Sequence, residues 1–146
     1  MRPVETLIVL ASEHQARLYS NRGAGSGLTL VSEIGFDDFP GGDLAYADRP
    51  GRWTPGPGIA PHAFDHRESE REQERDRFAA RLSDAIAAAA AGADRIVLAA
   101  APRMLGALRA AMPAPLRARV AAERDRNLLK VPAADLPAHL DGAIVV

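Results

Sequence analysis

His62, Asp65 and His66 form the only histidine cluster in the chain, and the two imidazoles are four residues apart, a spacing that lets one helix face offer both to a metal ion. The chemistry such a site would support is metal-assisted hydrolysis. No glutamate follows His62 to serve as a base, no third ligand is assigned, and the surrounding residues favour a loop, so solvated or capping histidines are the simpler reading. His14 and His139 stand alone and read as structural. None of Ser12, Ser20, Ser26, Ser32, Ser69 and Ser83 lies in a Gly-x-Ser-x-Gly elbow, which removes a serine hydrolase of that kind. The glycines at 23, 25 and 27 have no lysine after them and do not open a helix, so they are not a phosphate loop. No catalytic residue, metal or cofactor is assigned.

A second constellation is cationic. Arg49 and Arg52 precede the only tryptophan, Trp53, in a stretch that continues through Gly56 and Gly58, and Arg67, Arg71 and Arg75 follow at every fourth position of one helix ridge. Guanidinium groups beside an aromatic ring can hold a phosphate backbone and stack a base. The alternative is local: Glu68, Glu72 and Asp76 on the next ridge are spaced to pair with these arginines, and such pairs stabilise an exposed helix by roughly 0.2–0.5 kcal/mol each. All of the basic residues except Lys130 are arginine, which also fits a plain compositional bias. With 18 basic against 19 acidic residues the net charge is -1, so a nucleic acid would have to be held by a local patch and not by a global field.

The elements that must position these groups fit one domain. A chain of 146 residues with 47% hydrophobic and 25% charged residues has the size and composition of a single soluble globular unit, 1–146. The absence of cysteine excludes disulfides and thiolate metal sites and suits a reducing compartment. Met1-Arg2-Pro3-Val4-Glu5 leads into an apolar strand without signal-peptide character, and no apolar run is long enough to span a bilayer, so a cytoplasmic location and no membrane partner are expected. Leu7-Ile8-Val9-Leu10 and Ile96-Val97-Leu98-Ala99 are continuous apolar runs, the mark of central parallel strands covered on both faces. Ala16-Arg17-Leu18-Tyr19 alternates, and Leu28, Leu30, Ile34 and Phe36 recur on alternate positions, which predicts an antiparallel meander. Residues 37–64, broken by prolines and glycines, read as a long loop. Phe78, Leu82, Ala85, Ile86 and Ala89 draw one stripe on a long helix that Gly92 stops, and Leu105, Leu108 and Met112 mark a second helix opened by Pro102. A turn at 115–119, a weak strand near 120–123 and a short helix at 133–140 complete the chain.

The expected fold is therefore α/β, with a mixed five-stranded sheet in β-β-β-α-β-α-β-α order. That order is the ribonuclease-H-like one, whose two-metal nucleases need carboxylates converging from the first strand, the first helix and the end of the fourth strand. Here the fourth strand ends Ala99-Ala100-Ala101, so the set is incomplete.

Leu7-Ile8-Val9-Leu10, Ala16-Arg17-Leu18-Tyr19, Asp48-Arg49-Pro50-Gly51-Arg52, His62 with the charged helix to Phe78-Ala79, Ala101-Pro102-Arg103-Met104-Leu105-Gly106-Ala107-Leu108-Arg109, and Leu136-Pro137-Ala138-His139-Leu140 together resemble the bacterial host attachment protein family. Through it the chain is distantly similar to the middle domain of archaeal and eukaryotic peptide release factors, which implies the same element order. In those factors a Gly-Gly-Gln loop before the long helix helps water attack peptidyl-tRNA. The matching loop here holds Gly56-Pro57-Gly58, and the two glutamines of the chain, Gln15 and Gln73, lie elsewhere, so the hydrolase role has no bearer. Where the family has an aspartate near the end of the first strand, this chain has Ser12.

The function expected from these residues is a non-catalytic binding module associating with ribosomal or transfer RNA through Arg49, Arg52, Trp53, Gly56, Gly58, His62, Arg67 and Arg71. A protein adaptor or stress-related protein linked to host attachment is the alternative, and a hydrolase using His62, Asp65 and His66 is the third. Oligomeric state is left open.

Overall fold

The computed structural model describes residues 4–23, 27–35 and 60–140, with only the helical backbone described for 60–67. The sheet has five strands in spatial order β3-β2-β1-β4-β5. These are β1 (Thr6–Ala11), β2 (Gln15–Asn21), β3 (Thr29–Gly35), β4 (Arg95–Ala100) and β5 (Val120–Arg124). The helices are α1 (Ala60–Ala89), α2 (Pro102–Ala111), α3 (Ala114–Arg117) and α4 (Leu136–His139), with short 3-10 turns after α1 and before α4.

The two continuous apolar runs lie where their composition requires. β1 and β4 pair in parallel at the sheet centre, with Leu7 opposite Ile96 and Val9 opposite Leu98. Side chains alternate across a strand. Leu7, Val9, Ile96 and Leu98 thus meet Phe78, Leu82 and Ile86 of α1 and Met104 and Leu108 of α2 on one face. Ile8, Leu10, Val97 and Ala99 meet Leu128, Leu129, Leu136 and Leu140 on the other. The first face has long helices over it; the second is covered by the irregular chain after β5 and by short α4.

Three expectations are corrected. The helix begins at Ala60, inside the segment 37–64 expected as a loop, because Pro61 falls in its first turn, where a missing N–H costs no helical hydrogen bond. A bulge breaks the predicted alternation of β3: Leu18 pairs with Ser32 and Tyr19 with Leu30, which leaves Val31 as an extra residue. Leu28 therefore packs beside Tyr19 on one face and Ile34 against the helix face. Residues 114–117 form the short helix α3 where a turn was expected. Gly92 does end the helical run, but without a left-handed backbone; positive φ occurs at Gly23 and Gly27, which frame the β2–β3 turn closed by Asn21.

The far end of α1 is fixed by a side chain. Arg119 donates to the carbonyl of Ala90 at 2.5 Å and to that of Ala93, satisfying oxygens that a helix end leaves open. Nearby, Arg109 grips Glu123 through Nε at 2.9 and 3.0 Å and through Nη2, and that hydrogen bond, then the carboxylate's charge, raises the guanidinium pKa. Among the described residues no helix is long and apolar enough to cross a membrane.

Candidate functional site

The chain reverses after β1 in a turn that Ser12 closes. Its Oγ accepts the backbone N–H of His14 at 3.2 Å and of Gln15 at 3.1 Å, a side chain standing in for a backbone acceptor. The turn places Glu13 at the carboxyl-terminal edge of the parallel strands, the edge where open α/β sheets present ligands. α1 reaches this edge with its charged half. Arg75 meets Glu13 at 3.3 Å, and one helical stretch earlier Glu68 meets Arg103, in the first turn of α2, at 3.5 Å.

Among the residues of α1 whose side chains are described, 68–89, the first buried one is Phe78. Since a helix rises about 1.5 Å per residue, the described stretch from Glu68 runs roughly 15 Å before it reaches Phe78. This is the arm on which the sequence places its cationic ridge. The members of that ridge are not equivalent: Arg75 is half-buried and held by Glu13, whereas Arg71 is exposed and has no ion pair among the described residues.

Of the residues singled out in the sequence, His62, Arg67 and Arg71 are brought onto one helix, with side chains described for Arg71 alone. His62 lies in helical backbone, inside the segment 37–64 expected as a loop, and His66 lies on the same helix. Arg49, Arg52, Trp53, Gly56 and Gly58 lie outside the described residues. At the strand ends, Ala11 stands opposite Ala100, and Leu10 opposite Ala99, so the fourth strand offers methyl groups where a two-metal site requires a carboxylate. Among the described residues no group of three or more histidines and carboxylates gathers to hold a metal.

Sequence reasoning passed over Arg17. It sits on the sheet face away from α1 and donates Nε–H to Glu33 at 2.9 Å and Nη1–H to the carbonyl of Leu129 at 3.0 Å. The available signal was an arginine between apolar residues in a strand, which has to find partners when its neighbours are buried.

None of the curated proteins matches this chain in sequence. The model of the family described as "Protein required for attachment to host cells" matches residues 7–140, from the first central strand to the last short helix, and the chain belongs to that family.

Proposed function

We propose that this host attachment protein is a non-catalytic, cytosolic binding module whose ligand is RNA, ribosomal or transfer, taken by the amino-terminal part of α1 and the segment leading into it. The observation that carries this reading is Arg71: an exposed guanidinium, four residues ahead of the tethered Arg75, in the stretch 68–77 where no residue is buried. Arg67 shares its ridge by spacing, and two guanidinium groups a helical turn apart suit successive phosphates. Arg49, Arg52 and Trp53 add charge and a stacking face from the sequence. A non-catalytic role is supported by the alanines that end β4, by the engagement of Glu13 with Arg75, and by a loop sequence without glutamine.

Fluorescence-anisotropy titration of single-stranded RNA at several salt concentrations tests the reading. Arg67→Ala with Arg71→Ala should weaken binding and lower the log–log salt slope by about 0.7 for each phosphate that is no longer neutralised. Arg81→Ala, an exposed change on the core half of α1, should leave both unchanged. Binding that ignores the double variant refutes the reading.

A protein partner is the second reading. It is favoured by β3, an edge strand on which Leu30 and Val31 are about half exposed, at 48% and 50%.

A further inference from the structure

On the sheet face opposite α1, Arg17 stands in register with Leu10 of β1 and Glu33 of β3. A guanidinium carries five N–H donors. Glu33 and the Leu129 carbonyl take one each, and the rest have no partner among the described residues. Beside it opens a cleft of about 450 Å³, walled by Ser12 and Gln15 at the end of the β1–β2 hairpin and by residues 127–133, which cross this face after β5. Lys130, the only lysine of the chain, lines it. So does Asn127, whose Oδ1 accepts the Leu129 N–H at 3.1 Å and whose NH₂ remains a donor.

The lining is one-sided in its chemistry. Lys130 and the Glu33-paired Arg17 supply positive charge and Asn127 and Gln15 supply amide donors, while Ser12 Oγ is occupied by the turn and no carboxylate lines this cleft among the described residues. Glu33 lines a smaller cleft of about 250 Å³ that shares Gln15, Arg17 and Leu129 with this one. Donors in excess of acceptors favour an oxyanion, and an arginine fork beside a lysine fits a group with two or more oxygens. The volume is that of a small-molecule site, and the position, at the carboxyl-terminal end of β1, is where sheets of this class present ligands.

We propose that this cleft binds a small polar molecule through an oxyanion head group, phosphate monoester or carboxylate, held by Arg17 and Lys130 with the amides of Gln15 and Asn127. The site is separate from the α1 arm and does not depend on RNA binding.

The test is titration of the ¹⁵N-labelled full chain with inorganic phosphate, glycerol phosphate and citrate, each against sodium chloride of matched ionic strength. Saturable shifts confined to Gln15, Arg17 and 127–133 are expected with at least one of the oxyanions and not with chloride. The ranking of the phosphate and carboxylate arms identifies the head group. Lys130 is exposed, so Lys130→Gln should leave the fold intact, which the rest of its spectrum checks, and should weaken binding about tenfold, the worth of one charge-assisted hydrogen bond. Arg126→Gln, exposed and outside the cleft lining, should not weaken it. Shifts scattered over the surface, an equal response to chloride, no response to any of the three probes, or unchanged affinity in Lys130→Gln would overturn the proposal.

Discussion

Arg75 of α1 donates Nη1–H to Glu13 at 3.3 Å, and this contact joins the long helix to the turn between β1 and β2. The pair is unequal in its surroundings, with Arg75 at 13% side-chain exposure and Glu13 at 39%. Arg75 Nε is buried without a hydrogen-bond partner, so the guanidinium relies on Glu13 for compensation. Removing the carboxylate should therefore cost more than an exposed ion pair does. Glu13→Ala should lower unfolding free energy by about 1–3 kcal/mol, while Arg75→Met, which keeps the packed stem and removes the buried charge, should cost less. Urea denaturation of both variants checks this; a larger loss in Arg75→Met would mean that the charge itself stabilises the fold.

Leu82 bridges α1 and the central strands with no exposed surface. Leu82→Ala should cost about 2–5 kcal/mol, the sum of lost transfer energy and the cavity left under the helix. The shift of the urea midpoint at unchanged slope measures it, and a loss under about 1 kcal/mol would show that α1 closes over the gap.

Ser12 holds the β1–β2 turn through its side chain. Its hydroxyl already receives the two turn N–H groups that a carboxylate would receive. Ser12→Ala should destabilise the protein by about 1 kcal/mol, whereas Ser12→Asp should be close to neutral, since an aspartate caps the same donors. Thermal unfolding of the two variants decides it, and equal losses in both would mean that the turn does not depend on a side-chain acceptor.

What could be read from the sequence followed local periodicity. Leu7 to Leu10 and Ile96 to Ala99 announced strands covered on both faces, and the stripe from Phe78 to Ala89 announced the helix that covers one of them. The bulge at Val31 was hidden because one inserted residue resets a two-residue period without changing composition. The start of α1 was hidden because Pro61 serves equally as a loop residue and as a first-turn residue. For the site, the arginine ridge was visible as spacing, but its division into a tethered Arg75 and an exposed Arg71 depends on Glu13, 62 positions earlier in the chain. The cleft at Arg17 was out of reach for the same reason: its second wall arrives from Leu129, 112 positions later.

The RNA and protein-partner readings separate on one measurement in a lysate of the native cells. Affinity purification of the full chain, with and without ribonuclease, should lose the co-purifying material on ribonuclease treatment if the α1 arm holds RNA. Trp53→Ala should then weaken binding of isolated single-stranded RNA by about 1–3 kcal/mol through lost base stacking, and removing Arg49 and Arg52 should flatten the salt dependence instead. The edge strand makes the opposite demand. If β3 docks a protein partner, association should survive ribonuclease and fall when Leu30 and Val31, exposed and outside the described core, are changed together to threonine, which keeps strand propensity while removing apolar surface. Association that resists ribonuclease and falls with Leu30 and Val31 would replace the RNA reading with the adaptor one.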